Sequence, residues 1–127
     1  MGKPVIAIIG ASADRSKFGN KAVRAYVEMG WEVIPVNARG GTIEGIPAVT
    51  SLGQIAKEID RVTIYLPPEI GIGVLPEIAE KKPRDFLVNP GAESPEFLAE
   101  AERLGLNPSV ACSIVDIGRT PAEFASK

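Results

Sequence analysis

The chain of 127 residues contains no histidine. That absence excludes Ser-His-Asp and Cys-His nucleophile systems, histidine-ligated metal sites and phosphohistidine chemistry. Cys112 is the only cysteine, so an internal disulfide framework is excluded and a zinc site has no ligand set. A single thiol fits a reducing compartment, and a cytoplasmic location is expected. No run of 18 apolar residues exists, and charge or proline interrupts any signal-peptide pattern early, so no membrane association is expected. Position 6 is Ile6, not the Ser or Thr of a myristoylation signal. A net charge of −2 gives no global attraction for nucleic acid or an anionic membrane. Any catalysis is left to carboxylates, lysines, the lone thiol or a cofactor, and no complete catalytic constellation is visible.

What is present is apolar: 45% of residues are hydrophobic, enough for a core without staples and for one domain over 1–127. The organising stretch is Val5-Ile6-Ala7-Ile8-Ile9-Gly10-Ala11-Ser12, running on to Phe18-Gly19-Asn20-Lys21. Five apolar residues, mostly β-branched, read as a strand buried on both faces. A glycine ends it, and a helical pattern with Ala22, Val23, Tyr26 and Val27 on one face runs from about Gly19 to Met29. Strand, small-residue turn and helix N-terminus together make an anion site.

Further strands are expected at 31–36, 61–66, 84–88 and 109–114, with an irregular or short-strand connection over 42–49. Thr50 or Ser51 is placed to cap a short helix through Glu58. Residues 69–82 are helical in pattern, with Ile70, Val74, Leu75 and Ile78 on one side; Pro76 argues against an unkinked helix. Ser94 and Pro95 read as cap and first position of a helix ending at Gly105. Little structure beyond a turn after Thr120-Pro121 is expected in the tail. Strands alternating with helices imply an α/β fold, a doubly wound parallel sheet of five strands with helices on both faces and order 3-2-1-4-5. Ligands of such sheets bind at the carboxyl ends of the strands, here between the turns at Gly10 and Asn89-Pro90-Gly91.

The dinucleotide fingerprint G-x-G-x-x-G is not met, because Ser12 replaces its second glycine and Gly19 arrives late. The longer turn carries Ser12, Arg15, Ser16 and Lys17 toward phosphate oxygens, or forms a solvated charged loop. The second strand ends in Val36-Asn37-Ala38-Arg39, with no acid to accept from a ribose diol. A cation there favours an adenosine with an extra ribose phosphate, as in NADP or coenzyme A, unless Arg39 is an ordinary surface residue.

Ile9-Gly10-Ala11-Ser12, Gly19-Asn20, Val33-Ile34-Pro35-Val36-Asn37 and Gly45-Ile46-Pro47-Ala48 before Ser51-Leu52 resemble the small single-domain CoA-binding proteins. That Rossmann-like domain also forms the nucleotide-binding part of succinyl-CoA synthetase alpha subunits and of ADP-forming acyl-CoA synthetases. The resemblance spans about Pro4 to Ile114. It implies that Gly10, Ala11 and Ser12 sit on the CoA pyrophosphate and that Asn37 and Arg39 meet the 3′-phospho-ADP moiety. It also implies that Leu66-Pro67-Pro68 borders the adenine and that Asn89-Pro90-Gly91 approaches the pantetheine arm. Phe18, Gly19, Val36 and Ile72 complete the candidate contacts. Many small members carry glutamine-x-glycine where this chain has Asn89-Pro90-Gly91, and an aromatic–arginine pair where it has Leu66-Pro67.

Family members often carry a cysteine where this chain has Cys112, whose thiol is either a small core group or within reach of the cofactor thiol. The expected function is non-catalytic or regulatory binding of coenzyme A or an acyl-CoA, with a homodimer or protein partner allowed. The alternatives are an NADP-binding oxidoreductase-type domain and a stand-alone partner subunit of an acyl-CoA synthetase.

Overall fold

Val5–Ile9 forms strand β1, buried at all five positions. Helix α1 (Phe18–Glu28) follows, then strand β2 (Glu32–Val36), a hairpin of β3 (Thr42–Ile43) and β4 (Ile46–Pro47), and strand β5 (Arg61–Ile64). Helices α2 (Pro68–Gly71) and α3 (Leu75–Lys81), strand β6 (Asp85–Val88), helix α4 (Pro95–Arg103), strand β7 (Pro108–Val110) and helix α5 (Ser113–Asp116) complete the order. This computed structural model describes residues 2–125. Among them no helix is long and apolar enough to cross a membrane.

The five long-range strands are parallel, with helices on both faces, a Rossmann-like α/β architecture. One face of the sheet carries Ile6, Ile8 and Val33 against Ala22, Val23 and Tyr26 of α1, with Ile114 and Phe124 beside them. The other carries Ala7, Ile9, Val62 and Ile64 against Leu75, Ile78, Phe97 and Ala101. Alternate residues of β1 thus feed two cores, as the strand's period of two requires.

The strand order is β2-β1-β5-β6-β7. Counting only the parallel strands in chain order, it is 2-1-3-4-5, and the third strand pairs with β1 where 3-2-1-4-5 would place it on β2. The reason lies in the connection after β2. Leu52, Ile55 and Ile59 pack on the face opposite α1. A right-handed crossover on that face carries the chain back across β1, so β5 lands on its far side.

That connection also differs from the helix expected through Glu58. It holds a single 3₁₀ turn, Leu52–Gln54. Neither Thr50 nor Ser51 caps it through a side chain; Gln54 Oε1 instead accepts the Thr50 N–H at 2.8 Å. Gly53 weakens the helix and Ile55 is extended. The 69–82 pattern is broken by a 3₁₀ turn, Ile72–Val74, and Pro76 falls in the first turn of α3, where its missing N–H costs nothing. Ile70 is 55% exposed, not on the core side with Leu75 and Ile78. The fifth parallel strand stops at Val110, so Cys112 is the N-cap residue of α5 and not a strand residue. The tail is more ordered than expected: a 3₁₀ turn, Pro121–Phe124, buries Phe124 in the α1 core. Ser94 caps α4 as expected, its Oγ accepting the Phe97 N–H at 3.0 Å.

Candidate functional site

The carboxyl ends of β1, β2, β5 and β6 open onto one cleft with two lobes. β1 ends at Gly10, whose φ is +88° and whose N–H donates to the Val36 carbonyl at 3.1 Å. A β-carbon there would lie 3.1 Å from the Tyr65 carbonyl carbon. The turn is therefore confined to glycine both by dihedral and by space. Gly19, in the first turn of α1, is pressed against it: a β-carbon on Gly19 would meet the Gly10 carbonyl oxygen at 2.4 Å. Neither a capping side chain nor an acid occupies that first turn. Its free N–H groups and positive dipole end are open to an anion.

The smaller lobe, about 460 Å³, is lined by Phe18, Gly19, Pro67 and the turn from Asn89 to Ala92. The larger, about 750 Å³, is lined by Ala11, Ser12, Val36 to Arg39, Thr50 to Leu52, Ile70, Val74 and Glu77. Gly10, Lys17, Tyr65 and Leu66 belong to both and form the waist between them. Lys17 and Arg39 make no salt bridge among the described residues. The cleft thus has an unpaired cation at its waist and another in its larger lobe. Among the described residues no group of three metal-ligating side chains is gathered to hold a metal ion.

Several candidate residues are engaged elsewhere. Arg15 does not face the cleft; its Nη1 lies 2.7 Å from Glu44 Oε1 at the tip of the β3–β4 hairpin. Glu44 Oε2 also accepts from Asn20 Nδ2 at 3.0 Å, and Asn20 donates to the Ser12 carbonyl at 2.9 Å. Ser16 lines neither lobe: its hydroxyl donates to Asp14 Oδ1 at 2.7 Å. That bond, with the Ser16 N–H, holds the Asp14 carboxyl below the usual carboxylate range. Ser12 Oγ accepts the Asp14 N–H at 3.0 Å.

Asn37 lines the larger lobe, but its amide is spent on the loop: Nδ2 donates to the Ala11 carbonyl at 2.8 Å and Oδ1 accepts the Arg39 N–H at 2.7 Å. Asn89 is buried and donates to Thr63 Oγ1 and the Ile64 carbonyl, while its Oδ1 accepts the Ser113 N–H. It clamps the ends of β5 and β6 to α5. Pro68 starts α2, and Ile72 packs toward the core; Ile70 and Val74 line the lobe in its place. Cys112 is half-buried and lines neither lobe.

The residue that sequence reading overlooked is Tyr65. It reads as the next strand residue, yet it lies past the end of β5 and lines both lobes. Its hydroxyl is 2.6 Å from Ser113 Oγ. Burial holds its phenol far above the ordinary tyrosine range, against a smaller opposing effect of that bond.

Residues 4–118 match the model of a family described as a CoA binding domain. The alpha subunit of ADP-forming acetate–CoA ligase II of Pyrococcus furiosus is 36% identical over 77 residues, 60% of this chain and 17% of that subunit. The match thus spans less than a fifth of that curated relative. The uncharacterized protein YneT of Bacillus subtilis is 31% identical over 91 residues, 72% of this chain and 67% of that protein. A solved structure of a conserved hypothetical protein from Pyrococcus furiosus superimposes with a TM-score of 0.82 at 32% identity, covering 91% of this chain and 99% of the other.

Proposed function

The chain belongs to the CoA-binding domain family, and on that premise we propose that it binds coenzyme A or an acyl-CoA without transforming it. The observation that carries this reading is the two-lobed cleft whose lobes meet at Gly10 and Lys17. A coenzyme A molecule has the matching order: a phosphorylated adenosine, a diphosphate, then a narrow pantetheine arm. The diphosphate is assigned to the waist, where the uncapped end of α1 and Lys17 supply donors and charge. The larger lobe takes the adenosine, with Arg39 beside its 3′-phosphate, and the smaller lobe takes the arm along Asn89–Ala92.

A binding role is the reading favoured here: the sequence has no histidine to carry phosphate, and among the described residues no hydroxyl lining the cleft is hydrogen-bonded to a lysine or carboxylate that lines it. Service as a partner of another synthetase subunit is consistent with the relative named as an acetate–CoA ligase subunit. Cys112, half-buried and outside both lobes, is assigned to packing.

Native mass spectrometry of the purified chain titrated with coenzyme A, dephospho-CoA and NADP tests this. One coenzyme A per chain, with NADP and dephospho-CoA retained less, is the expected result. Retention of NADP in preference would overturn it in favour of a dinucleotide site.

A further inference from the structure

Arg24 stands on α1 and lines neither lobe, yet its guanidinium joins three parts of the chain. Nε donates to Asn20 Oδ1 at 2.7 Å. Nη2 donates to the Arg15 carbonyl at 2.9 Å and to the Phe124 carbonyl at 2.8 Å. Asn20 is fully buried, and its Nδ2 holds the Ser12 carbonyl at 2.9 Å. Among the described residues its Oδ1 has no donor but Arg24 Nε. Removing Arg24 therefore orphans a buried acceptor, the costly way to lose a hydrogen bond. The loop after β1 is thus tied to α1 at two carbonyls, Arg15 directly and Ser12 through Asn20. Lys17 ends that loop, its N–H closing a turn onto the Asp14 carbonyl at 3.0 Å. The position of the loop sets where the waist cation and the first turn of α1 present their donors.

The third acceptor belongs to the turn Pro121–Phe124. Phe124 is 4% exposed, with the Arg24 guanidinium 5.7 Å from its ring centroid and that of Arg119 at 4.9 Å. Arg119 is paired in turn with Glu28 on α1 and with Glu123. The turn is therefore docked on α1 by packing, and it offers a carbonyl to the same nitrogen that holds the loop. Nη2 carries a proton for each carbonyl, and the planar guanidinium has one orientation that serves them together with Asn20. Undocking the turn releases that orientation. We infer that Arg24 is a positioning residue through which docking of Pro121–Phe124 is coupled to coenzyme binding at the waist. This rests on the coenzyme A reading above. Neither Arg24 nor Phe124 lines the cleft, so the coupling runs through the loop. By linkage it is reciprocal: the coenzyme steadies the turn by the factor that the turn adds to affinity.

Calorimetry with coenzyme A and amide hydrogen exchange, both on the full chain, test the assignment. Phe124→Ala is expected to weaken coenzyme A about fivefold and Arg24→Met about tenfold, with the double variant no weaker than Arg24→Met. The N–H groups of Glu123 and Ala125, bonded to the Thr120 and Ala122 carbonyls, are expected to exchange more slowly once coenzyme is bound. That slowing needs no substitution to be seen, and it is expected to vanish in Arg24→Met. Ile78→Val, in the core on the other face of the sheet, is the control: it is expected to lower stability and leave affinity and the exchange response unchanged. Undiminished affinity in Phe124→Ala, losses that multiply in the double variant, exchange at the turn indifferent to coenzyme, or an equal affinity loss in Ile78→Val would each overturn the coupling while leaving coenzyme binding intact. Failure of the unaltered chain to bind coenzyme A would overturn the coenzyme reading itself.

Discussion

The α-carbon of Gly19 faces the carbonyl oxygen of Gly10 so closely that a β-carbon on Gly19 would sit 2.4 Å from that oxygen. This contact joins the first turn of α1 to the turn after β1 and brings the helix's positive end to the waist of the cleft. The obstructing atom is backbone, so it cannot rotate away. Gly19→Ala is expected to destabilise the chain by about 1–3 kcal/mol, as overpacking does. Gly73→Ala is the control: a β-carbon there meets nothing within 4 Å, and its φ is not positive. Its expected effect is neutral to slightly stabilising. Urea titration of the two variants checks the contrast.

Lys17 and Arg15 stand two positions apart and share a charge but not a role. Lys17 lines both lobes, whereas Arg15 is paired with Glu44. Lys17→Ala is expected to weaken coenzyme A binding by about tenfold and to reduce its salt dependence. Arg15→Ala is expected to leave affinity nearly unchanged and to cost under about 1 kcal/mol of stability, the usual worth of an exposed pair. Calorimetry at two salt concentrations, with thermal melting alongside, separates the two.

Arg39 is assigned to the ribose phosphate. Arg39→Ala is expected to weaken coenzyme A by about 1.5–3 kcal/mol and dephospho-CoA hardly at all. Isothermal titration of both ligands into both proteins yields the cycle. An equal loss for the two ligands would remove Arg39 from phosphate recognition.

The chain has two tyrosines, and both phenols are held above their ordinary value, chiefly by burial. The folded state therefore favours the protonated form. The stability this gives is full below the unfolded value of about 10 and is lost as pH rises through and beyond it. Absorbance near 295 nm is expected to show less tyrosinate at about pH 10 than two free tyrosines give, then a rise at higher pH that accompanies loss of the circular dichroism of the fold. Half-titration near pH 10 in a folded chain would contradict the burial of Tyr26 and Tyr65.

The local elements were legible because their signals are local. Five apolar residues before Gly10 mark β1, the spacing of Ala22, Val23 and Tyr26 marks α1, and Ser94-Pro95 marks the start of α4. The strand order was not, because it depends on which face the connection after β2 crosses. That is decided by burial of Leu52, Ile55 and Ile59 against β1 and β5. Arg15 reads as a phosphate ligand until its partner is seen, and Glu44 is 29 residues away on a hairpin tip. Tyr65 reads as one more strand residue; only the end of pairing at Ile64 turns it into the cleft. Asn37 and Asn89 stand where a ligand contact is expected, but their amides hold the backbone that shapes the cleft.

A crystal structure of the chain grown with coenzyme A tests the central claim most directly. The account predicts diphosphate density at the waist, within hydrogen-bond reach of the Gly10–Ser12 turn, the first turn of α1 and Lys17, with adenine in the larger lobe. Density for the coenzyme elsewhere on the molecule, or a waist left empty at saturating coenzyme, would contradict it.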